Sequence, residues 1–590
     1  MKPRKPLWPL VFELWRRISP VRRRQFLLLL ALMLVASFAE VVSVATILPF
    51  LGILTAPERV LAHPVVQPAS LAFGIETAQE LLLPITLAFC LAAVAAGSIR
   101  IFLLYATTRY TFAIGADLSI DIYRRTLYQP YPVHISRNSS EVITGITGKT
   151  AMMIGSVLLP LLTLISSGIL LTGILLALLA VDPVIALVAG GLFGTIYLVI
   201  LQLSKRSLRL NSECIAREST QVIKSLQEGL GGIRDVLIDG TQNAYCKIYQ
   251  TADRPLRRAQ GKTNFISASP RYLIETLGMV LIAGLAYSMS QRDGGVAAAI
   301  PVLGALALGA QRLLPILQQG YSSLTIIGGA EASLRDTLEL LDQPLPAYIA
   351  RPMAAPIPFQ REIGLRELGF RYSPEGPWIL RGVNLILPKS RRIGFIGSTG
   401  SGKSTMIDVV MGLLQPTEGF LEIDGQPIDG SNYRGWQAHI AHVPQAIYLA
   451  DSTIEENIAF GIPREEIDHE RIERAARQAQ MADVIESWPD RYQTFVGERG
   501  IRLSGGQRQR IGIARALYKQ ADVMIFDEAT SALDHETEGA VMQAIDGLGA
   551  EMTVLIIAHR LTTLKNCDLI VEIGAGGVRR TGTYRDLVNN

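Results

Sequence analysis

The chain has 590 residues, which is long enough for more than one domain. Hydrophobic residues make up 49% of it and charged residues only 18%, and the mean hydropathy is positive, which is typical of a membrane protein. The formal net charge of +4 is too small to indicate a nucleic-acid partner. The four cysteines show no CxxC spacing, so the sequence indicates neither a disulfide framework nor a metal site.

The N-terminal segment is basic and is followed by a long apolar run at 26–54. A secretory signal peptide has an apolar core of only roughly 7–15 residues, so this run is too long to be one. Positive charge collects on the cytoplasmic side of membrane proteins. We therefore expect a true membrane span whose N-terminal flank lies in the cytoplasm.

Six apolar stretches are each near or above the roughly 20 residues that a helix needs to cross a bilayer. They lie at 26–54, 81–107, 152–181, 184–204, 272–290 and 296–320. The connections at 108–150 and 205–271 are long and rich in Lys and Arg, which places both in the cytoplasm. Because these connections contain few helix breakers, we expect the membrane helices to continue beyond the bilayer as two hairpins.

Each cytoplasmic hairpin is predicted to end in a short turn, near Tyr131–Ser140 in the first and near Gly231–Gly240 in the second. The hairpins could be solvated helical pairs with no further role. A soluble domain follows the six spans, however. We therefore favour the interpretation that the tips contact this domain and transmit its movement.

The domain prediction divides the chain into three parts. Residues 1–342 form a six-helix transmembrane domain, and the proline-rich stretch at 343–358 is typical of a linker. Residues 359–590 have the composition of an ordinary soluble α/β domain. Six spans return the chain to the cytoplasm, so this domain is expected on the side of the membrane where ATP is found.

A glycine-rich loop stands between an apolar strand pattern at 393–396 and an apolar helix pattern at 406–414. This is the G-x-x-x-x-G-K-[ST] pattern in the strand–loop–helix context of a phosphate-binding loop, whose backbone N–H groups surround the phosphates. Lys403 is expected to reach the β- and γ-phosphates, and Ser404 to supply its hydroxyl to Mg²⁺. The predicted ATP ligands are Gly397, Ser398, Thr399, Gly400, Ser401, Gly402, Lys403, Ser404 and Thr405.

A second apolar strand pattern, at 523–526, ends in the paired acids Asp527 and Glu528. Phosphoryl transfer needs an in-line nucleophile and compensation of charge. We expect Asp527 to support Mg²⁺ and Glu528 to orient or deprotonate the attacking water. The two acids could instead be a charge pair at a helix N-terminus, but the motif that precedes them favours the catalytic interpretation.

That motif is Leu503-Ser504-Gly505-Gly506-Gln507, which resembles the signature motif of the ATP-binding cassette (ABC) superfamily. It stands at the start of a predicted helix, where backbone N–H groups form an anion site. In the family, the motif binds the γ-phosphate held by the other subunit's phosphate loop. The resemblance therefore implies a homodimer with two composite ATP sites. The ATP ligands implied in this motif are Ser504, Gly505, Gly506 and Gln507.

Four further positions take their roles from the resemblance to ABC cassettes. Tyr372 resembles the aromatic residue that stacks on adenine, although outside this family frame it would be an ordinary strand tyrosine. Gln445 resembles the glutamine that contacts Mg²⁺ and the attacking water, and Asp534 lies in the D-loop pattern. His559 resembles the histidine that contacts the γ-phosphate. Because no motif departs from the hydrolysing pattern, both sites are expected to hydrolyse ATP with Mg²⁺.

The membrane half resembles ABC exporter half-transporters of the type IV fold. Charge at membrane depth is costly and often functional, which draws attention to Arg100, Arg271 and Arg312. These side chains could reach the inner interface, or form structural ion pairs such as Arg271–Glu275. They could instead form a cluster that faces the translocation path and suits a phosphate or pyrophosphate group.

The stretches 269–275 and 310–315 resemble the corresponding stretches of the PglK-type lipid-linked oligosaccharide flippases. That family moves polyprenyl-diphosphate glycans out of the cytoplasmic leaflet, and its cavity arginines are implicated in handling the pyrophosphate. The resemblance implies that Arg100, Arg271 and Arg312 contact such a substrate. The chain is thus predicted to be a flippase of the inner (cytoplasmic) membrane. The alternatives are export of other lipids, drugs or peptides and, in another class, an ATP-gated channel or regulator.

Overall fold

The computed structural model describes residues 6–46, 50, 52–53, 80–181, 183–290, 313–346, 349, 355–528, 535–558, 561–574 and 576–588. The chain divides into two compact units. The first comprises Met1–Gln129 and Arg137–Leu345, and the second comprises Pro130–Ser136 and Pro346–Asn590. The first unit is helical over its described residues and the second is α/β, so the predicted fold class is confirmed.

The helices before the linker vary widely in length. They are α1 (Leu7–Arg17), α2 (Pro20–Ala45), α3 (Leu82–Leu127), α4 (Tyr131–Ser136), α5 (Ser139–Thr144), α6 (Thr150–Met153), α7 (Leu159–Val181), α8 (Pro183–Gly231), α9 (Ile233–Ile238), α10 (Gln242–Ser290) and α11 (Glu331–Leu341). Single π turns at Gly145–Lys149 and Ile154–Leu158 flank α6, and a further helical stretch covers 313–329. Of these, α4 belongs to the second unit.

Within the described residues, three helices are long and apolar enough to cross a membrane: Pro20–Ser43, Leu82–Leu127 and Ser139–Leu176. They overlap the first three predicted spans, at 26–54, 81–107 and 152–181. The fourth and fifth predicted spans fall within α8 and α10. Most of the sixth span and nearly all of the connection between the first two spans, at 56–80, lie outside the described residues, as does part of 47–54 at the end of the first span.

Three helices are more than twice as long as a membrane span requires. α3 has 46 residues, and α8 and α10 have 49 each. At 1.5 Å per residue each is about 70 Å long, against a bilayer core of about 30 Å. Beyond the membrane, α8 and α10 pack along each other through a core that includes Ile215, Val222 and Leu256. The helices therefore continue out of the bilayer as the fold prediction required.

Over its described residues, the second unit contains two sheets. The strands are β1 (Glu362–Phe370), β2 (Leu380–Pro388), β3 (Arg392–Ile396), β4 (Glu418–Ile423), β5 (Gln426–Ile428), β6 (Ile440–Val443), β7 (Val523–Asp527), β8 (Thr553–Ile557), β9 (Leu569–Gly574) and β10 (Gly577–Gly582). One sheet is antiparallel with the order β2-β1-β4-β5, and the other has the order β10-β9-β3-β8-β7-β6.

The second unit also contains helices. They are α12 (Lys403–Val410), α13 (Tyr433–Gln437), α14 (Ile454–Ile458), α15 (His469–Gln478), α16 (Ala482–Glu486), α17 (Gly505–Tyr518), α18 (His535–Asp546) and α19 (Tyr584–Val588). Short 3₁₀ turns lie at Arg464–Glu466, Arg491–Gln493, Glu498–Gly500 and Leu561–Leu564. β7 and β8 are apolar and almost fully buried, as expected for parallel strands covered on both faces.

Candidate nucleotide and substrate sites

Four adjacent parallel strands place the predicted nucleotide residues at one edge of the larger sheet. β3 pairs with β8, β8 with β7, and β7 with β6, all in parallel. The carboxyl ends of parallel strands meet at the same edge, which is where open α/β sheets bind ligands. The phosphate loop follows β3, the paired acids end β7, and Gln445 follows β6. Segments far apart in the sequence thus converge on one site.

The phosphate loop needs glycine at two positions for reasons of space. Gly397 has a φ of 151°, and a Cβ there would lie 2.2 Å from the carbonyl oxygen of Ile573. Gly402, with a φ of 99°, immediately precedes α12, and its Cβ would lie 3.0 Å from the carbonyl oxygen of Ile379. A side chain at either position would strain or displace the loop. The backbone can therefore curve closely around a ligand only because both residues are glycine.

The polar groups inside this loop suit a polyanion. The buried ammonium of Lys403 donates hydrogen bonds to the carbonyl oxygens of Gly397 at 2.8 Å and Ser398 at 3.0 Å. The buried Oγ of Ser401 makes no hydrogen bond to any part of the chain that the structure describes. A cation held inside the curve of the loop, and a hydroxyl with unused hydrogen-bonding capacity, fit the phosphates of a nucleotide.

Tyr372 presents an aromatic ring beside the same loop. Its hydroxyl lies 3.3 Å from Oγ1 of Thr405, within hydrogen-bonding distance. The ring packs edge-on against Phe370, with centroids 5.0 Å apart and planes at 86°, and the residue remains 54% exposed. An anchored ring with an accessible face can stack on a planar base. This geometry suits the adenine-stacking role that the sequence predicts.

Glu528 and Gln445 are in direct contact. Nε2 of Gln445 donates a hydrogen bond of 2.8 Å to Oε2 of Glu528. Glu528 has a φ of 50°, which is unusual for a residue with a side chain, and its N–H donates to the carbonyl oxygen of Ile557 at 3.1 Å. The end of β8 thus fixes the backbone of Glu528 by a hydrogen bond, and Gln445 fixes its carboxylate by another.

Asp408 is an acid near Asp527 that the sequence reasoning did not consider. It lies on α12, and burial together with the negative charge of Asp527 raises the pKa of its carboxyl from 3.8 to about 6. The available signal was an acid inside the apolar helix pattern that follows the phosphate loop. The two carboxyls therefore lie close enough for their charges to repel each other.

The tip of the first cytoplasmic hairpin belongs to the same unit as the nucleotide residues. Tyr131 begins α4, and burial, together with the negative charge of Asp408, raises the pKa of its phenol. This tip therefore shares the electrostatic environment of the phosphate-loop helix and of the exposed aromatic ring. The arrangement suits the predicted role of the tip in transmitting movement.

Ser504 closes the amino end of the 14-residue helix α17 with a reciprocal pair of hydrogen bonds. Its Oγ accepts from the N–H of Gln507 at 3.2 Å, and its own N–H donates to Oε1 of Gln507 at 2.8 Å. Accepting uses an oxygen lone pair, so the hydroxyl proton remains available for donation. Ser504 and Gly505 are both exposed. The helix thus presents donors and its positive end to solvent.

Three of the predicted site residues, Asp534, His559 and Arg312, lie outside the described residues. For Mg²⁺, the described chain contains no cluster of three or more His, Cys, Asp or Glu side chains placed to hold a metal ion. A nucleotide-bound Mg²⁺ needs few protein ligands, because phosphates and water supply the others. A hydroxyl at the start of α12 (Ser404) and a carboxylate at the end of β7 (Asp527) suit that requirement.

A second candidate site is a cavity of about 530 Å³ between helices of the first unit. It brings together Arg100 of α3 and Arg271 of α10, two of the three predicted substrate arginines. The other polar residues that line it include Tyr197, Glu275, Gln318 and Gln319. Two arginines that are 171 positions apart therefore share one cavity.

Each of these arginines contacts a carboxylate. Nε of Arg271 lies 2.7 Å from Oε1 of Glu275, one helical turn further along α10. Nη1 of Arg100 lies 3.5 Å from Oε1 of Glu40, whose side chain is only 4% exposed. The two interpretations of these residues are therefore compatible, because the arginines form ion pairs and also line the cavity.

Part of the cavity wall is held by a hydrogen-bond chain that sequence reasoning did not find. The hydroxyl of Tyr197 donates to Oε1 of Gln318 at 3.0 Å. Nε2 of Gln318 donates in turn to the carbonyl oxygen of Ser267 at 2.9 Å. A glutamine inside an apolar span was the available signal. These two hydrogen bonds fix a polar surface between membrane helices, where polar groups without hydrogen-bond partners are costly.

A helical membrane unit, followed by an α/β unit with a phosphate loop, paired acids and a signature helix, defines an ABC half-transporter. The family model for the ABC transporter transmembrane region matches residues 26–298, and the ABC transporter model matches residues 380–531. The chain belongs to the ABC transporter family. It is an integral membrane protein and an ATPase coupled to transport.

Its similar proteins include two curated flippases. It is 30% identical over 499 residues to an ATP-dependent lipid A-core flippase of Cupriavidus metallidurans, covering 82% of this chain and 81% of the relative. It is 31% identical over 485 residues to an ATP-dependent lipid A-core flippase of Saccharophagus degradans, covering 80% and 79%. The solved structure of a bacterial Atm1-family ABC exporter with ATP bound shares the fold, with a TM-score of 0.76, 23% identity and 97% coverage of both chains.

Proposed function

We propose that two copies of this chain form an ATP-driven flippase of the inner membrane for a lipid with an anionic, phosphate-bearing head group. A polyprenyl-diphosphate-linked oligosaccharide is the cargo that we favour. The observation that carries this proposal is the cavity between membrane helices that holds both Arg100 and Arg271. Guanidinium groups bind phosphate oxygens in bidentate geometry, and an apolar bilayer strengthens that attraction. Arg312 is proposed as the third contact.

A homodimer is supported by surfaces in each unit. The chain has one phosphate loop and one signature helix, and that helix presents an exposed amino end. On α9, the tip of the second cytoplasmic hairpin, Leu237 is 59% and Ile238 is 71% exposed. The nucleotide unit carries exposed Tyr448 and Phe460, whose ring centroids lie 6.4 Å apart. Exposed apolar groups of this kind mark interfaces. We propose that α9 docks beside this aromatic pair of a second copy.

Hydrolysis is assigned to the edge of the larger sheet. The phosphate loop and Tyr372 bind ATP, and Ser504 of the partner chain donates to its γ-phosphate. Glu528 orients and deprotonates the attacking water, while Gln445 positions the Glu528 carboxylate through their 2.8 Å hydrogen bond. Mg²⁺, held by Ser404, Asp527 and Gln445, compensates phosphate charge when bound. His559 and Asp534 complete the proposed site.

The nearest competing cargo is a lipid A-core-type glycolipid, which the names of the curated relatives favour. Both candidate lipids carry a large polar head group. The lipid A-core-type glycolipid lacks the polyprenyl diphosphate of the preferred cargo. The arginine cavity favours a head group with adjacent phosphates. Proteoliposomes that contain either lipid separate the two candidates, because the true cargo alone should be moved in an ATP-dependent manner.

The decisive experiment replaces Arg100, Arg271 and Arg312 together by Gln. Glutamine keeps a polar side chain beside Glu40 and Glu275 but removes the positive charge. We expect basal ATPase activity to persist and ATP-dependent flipping of a polyprenyl-diphosphate glycan to be lost. A matched control replaces Arg217 and Arg257, which pair with acids on the cytoplasmic hairpin. Flipping at the wild-type rate in the triple variant would remove the substrate assignment.

A further inference from the structure

We propose that Glu275 is an exchangeable counter-ion that competes with the phosphates of the cargo for Arg271, and thereby sets how readily the head group is released. This inference rests on the proposed function, because it requires an anionic head group in the cavity. It adds a role for an acid within a site otherwise defined by its arginines. Two observations carry it: the geometry of the ion pair, and the greater accessibility of Glu275 than of Glu40.

The first observation is that both members of the pair face the cavity. Nε of Arg271 and Oε1 of Glu275 are 2.7 Å apart, and both residues line the 530 Å³ cavity. A guanidinium has five N–H donors, and this contact through Nε leaves the terminal nitrogens able to bond elsewhere. An incoming phosphate can therefore engage Arg271 before the carboxylate has left. Exchange needs no intermediate in which the cation is without a counter-charge.

The second observation is that the two acids paired with these arginines differ in burial. The side chain of Glu40 is 4% exposed and lies 3.5 Å from Arg100, whereas the side chain of Glu275 is 37% exposed. A buried carboxylate cannot leave its place without a large cost. The carboxylate of Glu275 can rotate into the open cavity, where water solvates it. Both acids lie next to an arginine, but only the carboxylate of Glu275 can therefore move away from its arginine into open space.

Release of the cargo benefits from such a competitor. Several arginines on one diphosphate form strong, charge-assisted hydrogen bonds, and such binding alone would retain the cargo. A carboxylate tethered one turn away reduces the net gain of binding, because the Arg271–Glu275 pair is lost when the cargo takes the place of the carboxylate on Arg271. When the head group leaves, the pair forms again and neutralises the cation at membrane depth. Glu275 thus lowers affinity and speeds turnover.

The test measures binding by the full-length Glu275→Gln variant in detergent. Farnesyl diphosphate is the probe, farnesol is its uncharged counterpart, and saturating ADP with Mg²⁺ keeps the probe out of the nucleotide sites. Glutamine has nearly the same shape but no charge. We expect farnesyl diphosphate to bind at least about threefold more tightly than to wild type, and farnesol to bind equally to both proteins. In proteoliposomes the variant should turn over polyprenyl-diphosphate lipid more slowly.

The matched control is Glu331→Gln. It breaks the 3.0 Å pair of Glu331 with Arg335, which has the same spacing on α11 and does not line the cavity. This variant should bind farnesyl diphosphate as wild type does. If Glu275→Gln folds poorly, as judged by thermal unfolding, Glu275→Asp provides a second variant. Its shorter carboxylate weakens the pair and should give a smaller gain in affinity.

The outcomes separate this inference from the function on which it rests. Unchanged or weaker binding of farnesyl diphosphate to Glu275→Gln, together with lost binding to Arg271→Gln, overturns the counter-ion role and leaves the proposed function standing. Unchanged binding to Arg271→Gln overturns both. Equal tightening for farnesol and farnesyl diphosphate also rejects the counter-ion role, since it would reflect the shape of the cavity and not its charge.

Discussion

The carboxamide of Gln445 donates a 2.8 Å hydrogen bond to the carboxylate of Glu528, across 83 positions of sequence. Gln445 follows β6 and Glu528 follows β7, and these strands are neighbours in the larger sheet. The contact orients the proposed general base through a second loop. Movement of that loop would therefore change the position of the carboxylate relative to the nucleotide.

Replacing Glu528 by Gln should reduce ATP hydrolysis by at least about a hundredfold, because an amide cannot accept the proton of the attacking water. The amide can still accept a hydrogen bond from Gln445, so we expect the fold and ATP binding to persist. The variant should accumulate as an ATP-bound closed dimer. Phosphate release and size-exclusion chromatography with ATP measure the two effects, and hydrolysis at the wild-type rate would remove the assignment of Glu528 as the base.

Replacing Gly397 by Ala should weaken ATP binding by more than about tenfold, because the new Cβ would lie 2.2 Å from the carbonyl oxygen of Ile573. The required backbone shift, together with the φ of 151°, corresponds to roughly 1–3 kcal/mol of strain. Gly549→Ala is the control, since a methyl group added there would meet no atom within 4 Å. Nucleotide titration of both variants tests the prediction, which fails if Gly397→Ala binds ATP normally.

Ser504 has two separable roles, capping α17 and donating to a partner's nucleotide. Ser504→Ala should lose about 1 kcal/mol of stability and most ATP turnover. Ser504→Asp should keep the cap and the stability but lose turnover, because its charge repels phosphate. Thermal unfolding and ATPase assays distinguish these effects.

Thr453 provides the matched control for Ser504. It caps α14 with the same reciprocal pair of hydrogen bonds, through Glu456. Thr453→Ala should therefore cost a similar amount of stability while ATP turnover is retained. If Ser504→Asp hydrolyses ATP as well as Thr453→Ala does, the hydroxyl of Ser504 has no role beyond the cap.

Asp408 should make the stability of the nucleotide unit depend on pH. Burial, together with the charge of Asp527, raises the pKa of Asp408 from 3.8 to about 6. Between these values the folded state holds a proton that the unfolded state lacks, so stability falls as pH rises from about 4 to about 6 and is then constant. Asp408→Asn removes this penalty.

We expect Asp408→Asn to be more stable than wild type by about 1 kcal/mol at pH 7.5, after allowance for screening of a partly exposed group, and equally stable near pH 4. Thermal unfolding followed by tryptophan fluorescence reports on this unit through Trp378, Trp436 and Trp488, three of the five tryptophans of the chain. Glu465→Gln, on the exposed surface, should show no such difference between the two pH values. A difference for Asp408→Asn that does not change with pH would reject the ionisation mechanism.

The sequence by itself determined the nucleotide chemistry, because that chemistry is local. The roles proposed for the glycines, lysine and serine of 397–405 depend on residues of one short loop, and the same holds for 503–507 and for the acids 527–528. The order of membrane and soluble parts was also readable, since apolar runs of span length are contiguous. The long helices were predictable because helix-breaking residues are few in the connections.

Only the tertiary structure decided which distant residues meet. The order of the parallel strands places Gln445 on Glu528, and the packing of α12 against the sheet places Asp408 in the field of Asp527. Helix packing brings Arg100 and Arg271 into one cavity. It also pairs Arg100 with the buried carboxylate of Glu40, and Arg271 with the accessible carboxylate of Glu275. These are non-local contacts, set by strand order and helix packing and not by the spacing of any motif. Burial, which separates the roles of Glu40 and Glu275, is likewise a property of the folded molecule.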